Sequence, residues 1–310
     1  MVLLGSRMFK YICYYLNMDQ FSISHLARYS GIKPHTIRIW EKRYNALQPG
    51  RSDGNTRYYD GNQLRRLLNI VSLRSPQLGL QELCAMSDSA LYDLLEQRFE
   101  KGLEGSEDYF ISQLLSAGVN FDDVHFNQMY SHCLLRYGMR DTYVKIIYPM
   151  LVRIGALWSS DGFRPSYEHF ISNLLRRKLS TGIDLLPPPK AGAATWLLFL
   201  PENEFHDIGL LFADYMIRSS GARTVYLGGN MPEAAVVEAM GQFKPDNLLL
   251  FLVHYDLPEE IKKYLDRLAK AFKGQHIHVS ANPALIKLLK NGKKFNPLSA
   301  VSDLEKWLIG

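Results

Sequence analysis

Lys33-Pro34-His35-Thr36-Ile37-Arg38-Ile39-Trp40-Glu41-Lys42-Arg43-Tyr44, followed by Arg51-Ser52-Asp53-Gly54-Asn55-Thr56-Arg57-Tyr58-Tyr59, is the stretch on which the fold turns. Pro34 sits where a first helical turn tolerates it, and Ile37, Trp40 and Tyr44 recur at the spacing of one buried helical face. Arg38, Lys42 and Arg43 lie off that stripe. Upstream, Ser22 to Tyr29 has a helical pattern with a polar start, broken by Ser30-Gly31-Ile32. Two short helices around a glycine-containing turn predict a helix-turn-helix. Downstream, Asp53-Gly54-Asn55 between short extended runs predicts a hairpin. Asp60 is placed to cap a further helix carrying Leu64, Leu67, Leu68 and Val71. A basic hairpin after a helix-turn-helix is a wing.

Charge supports a nucleic-acid role for this part of the chain. Between Met18 and Ser75 there are ten Lys and Arg and four acidic residues, a net +6, so the rest of the 310-residue chain carries −1 of the total +5. A basic end on a near-neutral body predicts a nucleic-acid module joined to something else. The length fits two or three domains, and no apolar run approaches the length of a membrane span. Cys13, Cys84 and Cys133 are far apart, which argues against a disulfide scaffold or a thiolate metal pair. Met1 to Asn17 is interrupted by Arg7 and Lys10 and lacks a small-residue cleavage site, so it is read as an N-terminal extension, with Met1 and Met18 both open as the start. The expected location is cytoplasmic.

The helix-turn-helix and wing resemble the MerR family, whose pattern is a tryptophan-anchored recognition helix followed by R-x-x-N-x-R-x-Y. The match covers about seventy residues, 18–90 as a domain. The resemblance implies a double-stranded DNA operator as partner, with the second helix in the major groove and the wing on the backbone. By position it assigns Thr36, Arg38, Lys42 and Arg43 to the helix contacts, and Arg51, Arg57 and Tyr58 to the wing. Most of these cations would bind phosphate, which gives affinity and salt dependence rather than sequence choice. Trp40 and Tyr59 are read as core anchors.

Leu80 to Phe99 reads as helical, and no sustained heptads follow. Residues 106–186 predict a bundle of four to five helices, with breaks near Gly118, Gly138 and Gly162. Pro187-Pro188-Pro189 reads as a stiff linker. From residue 190 to 310 the pattern alternates: strands at 195–200, 224–227, 247–253 and 276–279, with helices at 206–219, 232–242, 258–272 and 283–290. Such alternation predicts a doubly wound parallel sheet, with ligands at the carboxyl ends of the strands. The fold class is therefore multidomain α plus α/β: a winged helix-turn-helix, a helical bundle and an α/β domain.

Glu204-Phe205-His206-Asp207-Ile208-Gly209 follows the first of these strands. It resembles the loop of cobalamin-binding domains, in which an acidic residue, a histidine and a glycine recur as D/E-x-H-x-x-G. The resemblance makes His206 the lower axial ligand of cobalt, Glu204 its orienting partner and Gly209 the space-maker for the nucleotide tail. Gly228-Gly229 would suit a close approach of the ligand. Trp158 with Glu168-His169 matches regulators of the CarH/LitR type, cobalamin-dependent photoreceptors with the same three modules in the same order. There these residues imply a cover over the upper adenosyl group. The implied cofactor is adenosylcobalamin, with light as signal and a homo-oligomer joined through the C-terminal half. Two departures would narrow the tail channel: Leu252-Val253-His254-Tyr255 has no serine, and Val279-Ser280-Ala281-Asn282 has no glycine pair. Two alternatives therefore stay open: a cofactor-independent regulator whose C-terminal half assembles or senses another molecule, and a cobalamin enzyme subunit. No catalytic residue is assigned.

Overall fold

The computed structural model describes residues 21–52, 54–75, 78–100, 107–158, 165–253, 258–272, 274, 276–289 and 295–308. The extension at 1–17, the choice between Met1 and Met18, and Cys13, Asp53, Gly162, His254 and Tyr255 lie outside them. The chain forms two compact units, 1–171 and 172–310.

In the first unit, α1 (Ile23–Ser30) starts on Ser22, whose Oγ accepts from the His25 backbone while His25 Nδ1 accepts from the Ser22 backbone. This reciprocal cap satisfies two donors at the helix start. Gly31, at φ +71°, ends the helix in the left-handed region. Then α2 (Pro34–Tyr44) runs to a left-handed Asn45. Strands β1 (Gly50–Arg51) and β2 (Arg57–Tyr58) pair antiparallel, with Gly50 opposite Tyr58 and Arg51 opposite Arg57. Asp60 caps α3 (Gly61–Leu73) through the Gln63 backbone, as its sequence position predicts.

The run expected as one helix from residue 80 divides into α4 (Leu80–Ala85) and α5 (Asp88–Glu100). Helix α6 (Glu107–Val119) is buried on every side from Tyr109 onward and packs along α3. A helix buried on all its faces belongs in the middle of its unit. Gln113 donates to Ser72 Oγ at 3.0 Å inside that contact. Gly118 does not break the helix: a Cβ there would fall 2.4 Å from Ile171 Cδ1, so the glycine permits close packing. Gly138 does interrupt α7 (Asp123–Thr142), at φ 71° and ψ 173°. A π-helical turn (Tyr143–Ile147) leads into α8 (Tyr148–Trp158), and α9 (Pro165–Asp184) runs through the unit boundary. Residues 107–158 thus share a unit with the N-terminal module.

The second unit contains β3 (Thr195–Pro201), α10 (Ile208–Ser219), β4 (Arg223–Met231), α11 (Glu233–Phe243), β5 (Asn247–Leu252), α12 (Pro258–Ala271), β6 (His276–Ala281), α13 (Pro283–Leu289), β7 (Asn296–Leu298) and α14 (Val301–Leu308). All five strands are parallel, in the order β4-β3-β5-β6-β7. Three differences from the predicted pattern stand out. Strand β4 is longer than expected, because Gly228 takes φ +82° at an irregularity in register rather than ending the strand. Strand β6 runs two residues further, so Ser280 and Ala281 pair with Phe251 and Leu252 within the sheet. The short edge strand β7 and helix α14 were not foreseen.

One face of the sheet buries Leu197, Phe199, Leu248, Leu250, Ile277 and Val279 in a core shared with Val236 and Met240 of α11 and Ile261, Leu265 and Leu268 of α12. Trp196 and His278 lie on the opposite face, where Trp307 of α14 meets His278 edge-on at 4.9 Å. Chain order places the reversal of winding between β3 and β5, where ligands sit in doubly wound sheets.

Candidate nucleic-acid interface and ligand site

Helix α2 has two opposite faces. Ile37 and Trp40 are buried in the unit, while Arg38, Lys42 and Arg43 are exposed. Arg43 also lies over the Tyr44 ring at 5.9 Å. Thr36 is half-buried, with its backbone bonded to the Lys33 carbonyl. Sequence reading missed His35 and Ile39, which are exposed on the face opposite the buried stripe. Their signal was present: His35, Arg38, Ile39 and Lys42 follow i, i+3, i+4 and i+7 spacing.

The wing is fastened to this helix by one carboxylate. Glu41, whose side chain is 8% exposed, faces Arg57 Nε at 3.4 Å and accepts from the Tyr59 hydroxyl. Burial, then that hydrogen bond to a carboxylate, pushes the Tyr59 hydroxyl well above the usual phenol range. Tyr59 is fully buried and bridges to Phe21 through two backbone hydrogen bonds, and Trp40 is buried as well. Arg57 is therefore half-engaged inside the module. Tyr58 lies across Gly50, where a Cβ would fall 2.3 Å from its ring. Arg51 is exposed and donates to Asn55 across the turn. Arg66, part of the basic count, is an internal clamp: it donates to the carbonyls of Ala46, Met86 and Cys84 and to Asp88.

The second candidate site is built on Glu204. Its side chain is fully buried. Oε1 accepts from the backbones of Phe205 and His206, at 3.0 and 3.1 Å, and from His206 Nδ1 at 2.5 Å. Oε2 accepts from the Val253 backbone at 2.8 Å. The carboxylate thus ties the loop after β3 to the end of β5, across the switch point. Its carbonyl accepts from the Asn230 backbone at 2.9 Å, and Asn230 Oδ1 accepts from the Asn203 backbone at 2.9 Å, which ties in the end of β4. A buried carboxylate with this many donors is charge-assisted and rigid. The His206 side chain is about half exposed. Donation of Nδ1–H to Glu204 leaves the ring lone pair on Nε2, the tautomer a metal requires.

The adjoining residues are also fixed. Arg176 Nε donates to both oxygens of Asp207, at 2.7 and 2.9 Å, just ahead of α10. Gly209 is half-buried in the first turn of α10. Gly228 takes the left-handed backbone described above, and at Gly229 a Cβ would lie 3.2 Å from the Glu204 carbonyl. What approaches Gly229 in this structure is that carbonyl. Phe205 and Val253 are exposed apolar neighbours of the loop. Glu168 and His169 sit in the first unit, with His169 Nδ1 at 3.7 Å from Glu168 Oε2. The side chain of Trp158 lies outside the described residues.

Residues 21–88 match the MerR HTH family regulatory protein family. The chain is 27% identical to the HTH-type transcriptional repressor CarA of Myxococcus xanthus over 257 residues, which cover 80% of this chain and 82% of CarA. It is 23% identical to the repressor CarH of the same organism, over 81% of this chain and 85% of CarH. Over 65 residues it is 35% identical to the HTH-type transcriptional regulator CueR of Bacillus subtilis (strain 168), covering 21% of this chain and 45% of CueR. Among solved structures, the monomethylamine corrinoid protein of Methanosarcina barkeri aligns with a TM-score of 0.49 at 18% identity, over 65% of this chain and 98% of that one. Residues 21–88 thus form a winged helix-turn-helix that matches the MerR HTH family, and over four fifths of its length the chain is similar to the transcriptional repressors CarA and CarH, as a DNA-binding transcriptional regulator would be.

Proposed function

We propose that this regulator acts in the cytoplasm, binds an operator through residues 21–88, and is controlled by a cobalamin held in its C-terminal unit with His206 as the lower ligand of cobalt. The observation that carries the cofactor reading is the Glu204–His206 pair. A fully buried carboxylate fixes a half-exposed imidazole in the metal-binding tautomer at the switch point of a doubly wound sheet. Nitrogen from a neutral imidazole, backed by a carboxylate, is a donor set suited to cobalt. Exposed Phe205 and Val253 add the apolar surface that a large planar ligand would cover.

In its adenosyl form the cofactor would supply a light-sensitive cobalt–carbon bond. The remaining work belongs to the chain. Glu204 holds His206, and the resemblance assigns Trp158, Glu168 and His169 to shield the upper ligand. The two ligand states would select between an assembly joined through the C-terminal half and separated protomers. Such a switch needs a difference in affinity for the two states, not a new contact to DNA.

One observation favours the second reading, a cofactor-independent regulator. Ser280 and Ala281 are paired inside β6, with their Cβ atoms where the resemblance expects glycine. The test is a visible absorption spectrum after dark incubation of the full chain with adenosylcobalamin and desalting, beside His206→Ala. The expected result is about one equivalent retained, with the spectrum changed or lost in the variant. A colourless wild type would move the reading to assembly or another effector. An unchanged spectrum in His206→Ala would remove His206 from the cobalt.

A further inference from the structure

We propose that Ile39 reads the methyl group of a thymine in the operator, and so sets sequence preference where the neighbouring cations set affinity. The inference rests on the assignment of α2 as the recognition helix. His35, Arg38, Ile39 and Lys42 form one solvent-facing stripe, opposite the buried pair Ile37 and Trp40. Three of the four are polar or cationic. Ile39 is the exception, an aliphatic side chain 45% exposed between two cations one turn apart.

Among the described residues, Ile39 is not part of the buried core, and as a β-branched residue it gives a helix less than Ala, Leu or Lys would. A single exposed aliphatic is common on protein surfaces. This one lies in the centre of a basic face that must meet DNA. The major groove offers one apolar group, the C5 methyl of thymine. Arg38 and Lys42 are long enough to reach guanine edges or phosphates on either side, whereas Ile39 can only pack. Arg51 and Arg57, which the resemblance assigns to the DNA backbone, lie on the hairpin rather than on α2 and would not compete for that methyl.

The experiment uses the full-length protein. Sequences selected from a pool of random duplex DNA give the preferred site, and each thymine in it is then replaced, one at a time, by deoxyuridine, which removes only the methyl. The wild type is expected to lose about fourfold in affinity at one thymine position, which is about 0.8 kcal/mol at 1.4 kcal/mol per tenfold. Ile39→Ala is expected to bind the thymine site about as weakly as the wild type binds the deoxyuridine site, and to lose nothing more on the replacement. Ile39→Val, which keeps the branch and the fold, should fall between. Wild-type indifference to every replacement overturns the proposal, and so does an undiminished methyl effect in Ile39→Ala. Failure to recover any preferred sequence would instead overturn the assignment of α2 as the recognition helix, and the two failures are thereby distinct.

Discussion

Glu204 and His206 share a hydrogen bond of 2.5 Å between Oε1 and Nδ1, although one side chain is fully buried and the other about half exposed. The carboxylate belongs to the fold and the imidazole to the surface. Glu204→Ala would strip the acceptor from three backbone N–H groups and from the ring. The expected cost is about 2–3 kcal/mol in urea unfolding, with cobalamin retention falling about 10- to 100-fold. His206→Ala removes one of the four donors to that carboxylate and should cost less, about 1 kcal/mol, while changing the spectrum. Equal stability losses in the two variants would show that His206 is a structural part of the loop.

Glu41 plays the same part at the other end of the chain, with its carboxylate between Tyr59 of the wing and Arg57. Glu41→Ala would leave the buried Tyr59 hydroxyl without that acceptor, at an expected cost of about 1–3 kcal/mol. Because loss of Glu41 also releases Arg57 from the ion pair, the slope of log affinity against log salt should stay the same or steepen by up to about 0.9, one added phosphate contact, and should not fall. Arg51→Ala should lower that slope by about 0.9, one phosphate contact. Fluorescence anisotropy on a labelled duplex over a salt series separates the two. A reduced slope in Glu41→Ala would mean that the wing had left the DNA altogether.

Much of this architecture is legible in the sequence, for physical reasons that also mark where legibility ends. The period of Ile37 and Trp40, the Asp60 cap and the apolar strand runs are local signals, and the structure follows them, whereas Tyr44 at the end of α2 is only half-buried. Asn296–Leu298 was missed because three residues at a sheet edge carry too little pattern. The sequence pattern ends β4 at Leu227, with Gly228-Gly229 after it and suited to a ligand, whereas the pair falls within β4 and lets it pass the Glu204 carbonyl. The six-residue loop motif points to His206, but not to the bond from Glu204 to Val253, 49 positions away. Only the pairing order of β3 and β5 creates that contact. Likewise Arg57 counts as a cation for DNA until the fold brings Glu41 beside it.

His278 gives a pH dependence with a definite sign. It is fully buried, stacked on Trp196 at 4.7 Å, with Nε2 at 3.1 Å from Asn247 Oδ1. Among the described residues, its buried Nδ1 has no hydrogen-bond partner. Burial, and then the neighbouring His276, holds its pKa down at about 3. The folded state therefore binds fewer protons than the unfolded one, whose histidine titrates near 6.5. The stabilisation is fully present above pH 6.5 and is lost as pH falls from there toward 3, with a slope of up to about 1.4 kcal/mol per pH unit from this one group. His278→Gln keeps an amide for Asn247 and removes the titration. Its unfolding free energy should be flatter than that of the wild type between pH 6 and 4. Parallel profiles would place the acid lability elsewhere.

Gly228 and Gly229 are adjacent and should fail differently when each becomes alanine. At Gly228 the nearest atom to a new Cβ is Tyr226 Cε1 at 3.6 Å, an ordinary contact, but φ is +82°. The cost there is backbone strain alone, about 1–2 kcal/mol. At Gly229 the added Cβ would meet the Glu204 carbonyl at 3.2 Å, so the loop that carries Glu204 and His206 must move by a few tenths of an ångström. Short hydrogen bonds tolerate such a shift poorly. Gly229→Ala should therefore disturb the cobalamin spectrum more than Gly228→Ala at equal or smaller cost in stability. Measuring urea unfolding and cobalamin retention on both proteins decides it. If retention simply tracked stability in the pair, the glycines would serve the strand, and the position of the Glu204 carbonyl would not matter to the site.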